Sequence, residues 1–414
     1  MKTRYIFGFI TVCFSLFSCR ENEEEQKVSD VTGEELTSIS IRREPRKEAE
    51  GINDTNEPGY VAPIINEEFT EKSRIFISQM GPTNLTDPNF TNSASDARPY
   101  LYIYDYNGNT EADWDNEYNF SPIEDRDPIK WMTVKNIGSV GNAFSFYAMY
   151  CPESDGETVI FSVLADQTGG ETNPYDTGNF LKSDIMGAYH STSSLFTRLR
   201  FRLYHLMVYL KVTLFVPVYE DIAADPENGI EAGYSGFQPD KFRGAYVINA
   251  ATDFSIEWRA NRSSDTDAPL TQPGNTKQNI KMYQYEFNET ADKIENFNVK
   301  DYYTGGNIET TDVWVYNFSV LFPAQSFGNN FLCFGFEDVD NSMKYYYFSA
   351  PYIIGDSGKF QLEQGTLQQL YLYLPRKSNE TVLVGAKILP WGNSSTDMTV
   401  FDQSDTFKEE FEEE

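Results

Sequence analysis

Cysteine and arginine supply the positions where this sequence prescribes covalent chemistry. Cys19 follows Leu16-Phe17-Ser18 at the end of a mostly apolar run from Ile6 to Phe17, with Lys2 and Arg4 ahead of it. A positive start, an apolar run shorter than the roughly 20 residues of a membrane span, and a small residue before a cysteine make a lipoprotein signal. The expected reactions are transfer of a diacylglycerol to the Cys19 thiol, cleavage before it, and acylation of the new amine. Each buried CH₂ contributes about 0.8 kcal/mol, so several acyl chains hold a large body firmly at a membrane. The alternative is an ordinary signal peptide in which Cys19 is incidental. The second position is Arg42-Arg43-Glu44-Pro45-Arg46-Lys47. A basic, Pro-containing segment after a short apolar stretch is accessible to proteases, and Arg43 and Arg46 are the candidate cleavage points.

The residues for enzyme chemistry are sparse. The chain has two histidines, His190 and His205. A Ser-His-Asp triad needs a histidine beside a nucleophile and an orienting acid. Gly233-Tyr234-Ser235-Gly236 lacks the five-residue spacing of a nucleophile elbow. No phosphate-cradling glycine loop and no paired-histidine zinc helix occur. No catalytic residue, metal or cofactor is assigned, and the chain is not expected to be an enzyme. His205 shares a strand face with Phe201 and Leu203, which predicts a core histidine satisfied by a backbone carbonyl. Asp338-Val339-Asp340-Asn341 offers oxygen ligands for calcium but lacks the glycine and distal glutamate of an EF-hand loop, so a hairpin turn is expected there.

Charge bounds the partners. Asp and Glu number 63 against 33 Lys and Arg, giving a net charge of −30 and an isoelectric point near 4.4. With no basic patch, nucleic-acid binding is not expected. Such a surface keeps the chain soluble and self-repelling. Beyond Cys13 in the signal and Cys19 at the anchor, Cys151 and Cys333 remain. They are expected as buried thiols, with a disulfide between them left open.

These positions must be held by strands. Aromatics are 15% of the chain, with 27 Tyr and 31 Phe, and aromatics favour strands. Leu36-Thr37-Ser38-Ile39-Ser40-Ile41 alternates apolar and polar residues just ahead of the arginines, predicting a strand. Further strands are expected at 75–77, 100–104, 144–148, 159–163 and 199–218, then at 244–248, 313–322, 330–336, 344–348, 370–374 and 382–389. Arg198, Arg200 and Arg202 alternate with Leu199, Phe201 and Leu203, a period of two that excludes a helix. No stretch of 12 or more residues carries a helical stripe. Many short strands with turn signals predict β-sandwiches. About 395 residues after cleavage suffice for two domains. The expected organisation is a signal peptide over 1–18 and a lipidated tether and propeptide with the first strand over 19–46. An N-terminal sandwich over 47–194, a C-terminal sandwich over 195–405 and an acidic tail over 406–414 follow.

Several segments together resemble the Bacteroidetes fimbrillin superfamily, the lipoprotein subunits of type V pili. Phe144-Ser145-Phe146-Tyr147-Ala148-Met149-Tyr150-Cys151-Pro152 resembles its aromatic strand ending in a proline. Ser183-Asp184-Ile185-Met186-Gly187-Ala188 resembles its Asp-(Leu/Ile)-Met-x-Ala segment, and Phe201–Met207 resembles the following strand with its histidine. Leu321-Phe322-Pro323-Ala324-Gln325 resembles a Leu-Pro-Gln turn. Phe360–Leu362, Gly365, Leu370–Leu374 and Ala386–Trp391 resemble its last strands. Gly187 stands where a bulkier residue is usual, and Ala324 is an extra residue in the turn. Arg20-Glu21-Asn22-Glu23-Glu24-Glu25 is similar to the acidic surface-export signal of lipoproteins from that group.

The resemblance implies a fold and a function. The fold is all-β, with two transthyretin-like β-sandwich domains in tandem. The function is that of a structural subunit of a cell-surface fimbrium with a role in adhesion, in a tip, accessory or shaft position. Assembly would follow proteolytic removal of the first strand, here the one carrying Leu36, Ile39 and Ile41, and its replacement by a strand of a neighbour. The implied partners are other fimbrial subunits, the outer membrane through the lipid, and a host or bacterial surface receptor. The contrasting expectation is a surface glycan-binding lipoprotein of a nutrient-uptake system. There Trp114, Trp131, Trp258 and Trp314 would stack on sugar rings.

Overall fold

Alternation of apolar residues along short strands sets the architecture. In the computed structural model the described residues are 39–42, 61–64, 69, 73–80, 99–104, 117–123, 129, 144–154, 158–170, 172–192, 199–224, 226, 233–258, 269–297, 311–328, 330–338, 340–348, 360–374, 380–390 and 400–401. Cys19, Leu36, Arg43, Arg46, Trp114 and Trp131 lie outside them, as do the signal, the tether and the acidic tail.

Eight strands form the first sheet: β1 (Ile39–Arg42), β2 (Arg74–Met80), β3 (Tyr100–Tyr104), β4 (Glu117–Pro122), β5 (Phe144–Tyr150), β6 (Met186–Thr192), β7 (Leu199–Arg202) and β8 (Tyr204–His205). Their order is β7-β1-β4-β3-β2-β5-β6-β8. The next strands in the chain are β9 (Met207–Pro217), β10 (Glu220–Ile222), β11 (Gly233–Ser235), β12 (Phe242–Ala251), β13 (Phe254–Glu257), β14 (Leu270–Pro273), β15 (Lys277–Lys281), β16 (Tyr283–Gln284) and β17 (Lys293–Phe297). The last are β18 (Thr311–Pro323), β19 (Gln325–Phe327), β20 (Leu332–Glu337), β21 (Met343–Phe348), β22 (Phe360–Leu362), β23 (Thr366–Tyr373), β24 (Glu380–Pro390) and β25 (Val400–Phe401). The second sheet runs β15-β12-β20-β21-β24-β23-β9-β18-β16, with β17 on β18 and β25 on β24. Three two-stranded ribbons, β10-β11, β13-β14 and β19-β22, complete the ladders. The one α-helix among the described residues is α1 (Gly178–Lys182), far too short to cross a membrane. The fold is all-β.

Both faces of the first sheet are apolar. Ile75, Ile77, Tyr102, Phe120, Phe146, Ala148, Met186, Ala188 and Phe201 share one core. Their neighbours Phe76, Leu101, Tyr147 and Met149 join a second core with β9 and β18 of the second sheet. Strands buried on both faces read as near-continuous apolar runs, which is how Tyr100–Tyr104 and Phe144–Tyr150 appear in sequence.

Two expectations change. The long apolar stretch 199–218 is three strands, not one. It breaks at Leu203 and again at Leu206, and β7 and β8 pair within the first sheet while β9 opens the second. The change of sheet therefore falls at Leu206. Residues 159–163 are not a ladder strand. They make a single bridge, Ser162 to Asp253, plus bonds from Val163 N to Thr252 O and from Phe254 N to Phe161 O. Val159 and Val163 are buried in the larger core, so their alternation records packing rather than sheet pairing.

Candidate strand-exchange interface

β1 lies inside the sheet. It runs antiparallel to β4, with Ile39 opposite Phe120 and Ile41 opposite Tyr118. It runs parallel to β7, with Ile39 opposite Leu199 and Ile41 opposite Phe201. Ile39 and Ile41 therefore occupy the register positions of Phe120, Tyr118 and Phe201, which are buried members of one core. The strand is four residues long and is reached from a sequence that turns basic directly after it. Without β1, β4 and β7 would each present an open row of backbone donors and acceptors, the template that an extended segment completes. The predicted strand at Leu36–Ile41 corresponds to the observed Ile39–Arg42.

β7 is followed directly by a segment fixed to β6. β7 hydrogen-bonds to β1 and, among the described residues, to no other strand. It continues directly into β8, which pairs with β6 through Met186–His205 and Gly187–Tyr204. The two ends of the strand order are thus one stretch of chain. His205 Nδ1 lies 2.7 Å from Asp184 Oδ1, with the Asp184 side chain 1% and the His205 side chain 10% exposed. The partner at His205 Nδ1 is thus a carboxylate. Leu206 N, next in the chain, donates to Ile185 O at 2.9 Å. The fold therefore joins the two sequence segments that carried Asp184 and His205. Asp184 Oδ2 is buried without a hydrogen-bond partner, so the histidine bond carries much of the compensation for this carboxylate. Gly187 explains its own departure from the resemblance. A Cβ there would stand 2.9 Å from Leu206 Cδ1 and 3.2 Å from Met149 Sδ, and Leu206 fills that space instead.

The second sheet carries polar features that sequence reading missed. Gln167 is fully buried and imitates a strand. Its Nε2 donates to Leu321 O at 2.7 Å and its Oε1 accepts from Leu321 N at 2.9 Å. Gln325, from the Leu-Pro-Gln-like turn, binds both backbone groups of Ala251 in the same manner. Between β9 and β18 lie Tyr209, Lys211, Thr213, Asn317 and Ser319. Thr213 Oγ1 donates to Asn317 Oδ1 at 2.8 Å, and Tyr209 meets Ser319 at 3.1 Å. Residues 61–64 cover this patch. Lys211 Nζ donates to Val61 O, and Ile64 N donates to the Tyr209 hydroxyl at 2.8 Å. Burial pushes the Tyr209 hydroxyl well above its ordinary value and that of Tyr283 up to about 12, so both stay neutral donors. No single residue type announces such pairs, because the chain separations involved are large.

The remaining candidates fall as follows. His190 is half-buried, with its ring edge toward Phe201. Asp338–Asn341 forms the expected hairpin turn between β20 and β21, with Asn341 at φ +62° and Asn341 N donating to Asp338 O at 2.9 Å. Among the described residues no cluster of three or more His, Cys, Asp or Glu could hold a metal. Cys151 and Cys333 are buried free thiols. Trp314 is 9% exposed and donates from Nε1 to Phe237 O at 3.3 Å, so it offers no face to a sugar ring. Trp258 is half-buried against Tyr147 at 5.0 Å. On the surface, hydrogen bonds from Arg243 and Lys241 hold the Glu337 carboxyl below its usual range, and Lys293, at 2.8 Å, does the same for Asp312.

No family model matches the chain, and no curated protein matches it in sequence. Solved structures are similar over most of its length. One is a candidate cell adhesion protein from Bacteroides uniformis, with 10% identity, 86% of this chain and 98% of that one covered, and a TM-score of 0.38. Another is a fimbrial assembly protein from Parabacteroides distasonis, with 10% identity, 88% and 97% covered, and a TM-score of 0.33. A third is a tip fimbrial protein from Porphyromonas gingivalis, with 7% identity, 86% and 100% covered, and a TM-score of 0.31. These name what the chain is similar to in outline, and the functional reading rests on the geometry of β1 and its neighbours.

Proposed function

We propose that this chain is a precursor subunit of a cell-surface fimbrium that serves adhesion and assembles by strand exchange. One observation carries the reading: a four-residue strand held between two others, immediately ahead of the basic segment with Arg43 and Arg46. Cleavage at either arginine would disconnect β1 from the rest of the body. A neighbouring subunit would then supply a segment running antiparallel to β4 and parallel to β7. Backbone bonds would give affinity, and apolar residues at the positions of Ile39 and Ile41 would give register. Cys19 would hold the precursor at the outer membrane until release, and the acidic run after it fits export to the cell surface. In this reading the chain performs no catalysis.

A position at the tip or as an accessory subunit is favoured over the shaft. A shaft subunit must also donate a strand. After Trp391 the sequence offers Met398-Thr399-Val400-Phe401 as its apolar material, followed by acidic residues. The test is digestion of purified precursor with an arginine-specific protease, followed by electron microscopy and sedimentation. Cleavage between 42 and 47 with a product that stays monomeric alone and joins a donor-bearing subunit supports the tip reading. Ordered self-polymers would move the chain to the shaft. Resistance to cleavage would remove the exchange mechanism.

A further inference from the structure

The slot left by β1 needs a wall that stays in place once β1 has gone, and β7 has no second ladder partner among the described residues to hold it. Its attachment is through the stretch that follows it. Phe201 of β7 itself and Leu203 just after it are buried in the core shared by Ile75, Phe120 and Phe146, and β8 pairs with β6 over two residues. His205 then bonds to the buried Asp184 on the segment between α1 and β6. We propose that the Asp184–His205 pair is the positioning device of the acceptor slot: it holds β7 two strand spacings from β4, so that the slot stays open while it is empty. This inference rests on the strand-exchange reading and deepens it.

The placement supports a positional role. His205 is the last residue of the first sheet, and Met207 is the first of the second. A chain crossing between sheets at this point is free to swing β7 unless it is fixed on the first-sheet side. Backbone bonding from Leu206 N to Ile185 O fixes one point, and the Asp184–His205 bond fixes a second on the adjacent residue. On the second-sheet side, Thr271 Oγ1 donates to Leu206 O, and Gly365 N donates to Met207 O at 3.0 Å. With β1 present, β7 is held by its ladder and the pair is partly redundant. With β1 removed, the pair bears on where β7 sits.

The experiment uses the full precursor trimmed by the protease, with a fluorescent peptide of residues 36–42 as the probe. Wild type, His205→Ala, His205→Gln and Asp184→Asn are compared for peptide affinity. Amide exchange of 199–205 is compared before and after trimming. Loss of a buried charge-assisted bond predicts that trimmed His205→Ala binds the peptide about tenfold or more weakly. The glutamine amide can still donate to Asp184, so His205→Gln should stay within about threefold of wild type. Exchange at 199–205 should accelerate on trimming far more in His205→Ala than in wild type. Equal affinities for His205→Ala and wild type would overturn the proposal, as would a His205→Gln loss matching that of alanine. Should His205→Ala fail to fold, His205→Gln and Asp184→Asn carry the comparison, and faster exchange confined to the trimmed Asp184→Asn protein supports the proposal while unchanged exchange refutes it. Failure of trimmed wild type to take the peptide sinks strand exchange itself, and the exchange rates at 199–205 still decide the role of the pair.

Discussion

β1 and β9 are both interior strands flanked on each side, and they differ in length and in what holds them. β9 is 11 residues long, buried at every position, and in register with β18 along its whole length and with β23 along seven residues. β1 has four residues, one parallel and one antiparallel neighbour, and a basic sequence directly behind it. Polar groups reinforce the first region: Gln167 locks β18 near its C-terminal end, and residues 61–64 cap Tyr209 and Lys211. An interior position alone does not make a strand permanent. Length, burial and side-chain locks decide whether it can leave.

The contrast can be broken by weakening the permanent region. Phe318 is fully buried in β18, next to Phe334 and Phe242. Phe318→Ala should cost about 4 kcal/mol, read as a lower urea midpoint. A loss below about 1 kcal/mol would show that β18 is not the core of the fold. Gln167→Ala strands the backbone N–H and C=O of Leu321, and should cost about 3 kcal/mol in the same assay. Removal of residues 1–46, by contrast, should leave exchange protection of β9 and β18 unchanged and lower it at β4 and β7.

The smallest effect tests surface charge. Glu337 and Asp312 have carboxyls held below the ordinary value by their cationic partners. A depressed folded pKa adds stability above the unfolded value of about 4, and that contribution is lost as the pH falls through the folded value. Glu337→Gln should therefore flatten the decline of stability below pH about 4 slightly and change little at pH 7, checked by urea titrations across that range.

Local pattern made much of this legible. Alternation announces β1, short apolar and aromatic runs bounded by turn residues announce β3, β5, β12, β18 and β20, and Asp338 to Asn341 announces a turn. Leu36–Ile41 stood out because an apolar alternation sits inside an otherwise charged segment. Partners distant in the chain were not legible. Nothing near His205 in sequence points to Asp184, and Gln167 and Leu321 lie 154 residues apart. The run 199–218 misled for a physical reason: apolar residues continue through the crossover because both sheets bury it, so period two persists where the ladder changes hands at Leu206.

The central claim is that β1 can leave and be replaced while the body stays folded. Hydrogen exchange measured on the precursor, the trimmed protein and the trimmed protein with a peptide of residues 36–42 tests it directly. The account predicts lost protection at 117–120 and 199–202 on trimming, its return with the peptide, and constant protection across 207–217. Unchanged protection at 117–120 after β1 is gone, or global unfolding on its loss, would contradict it.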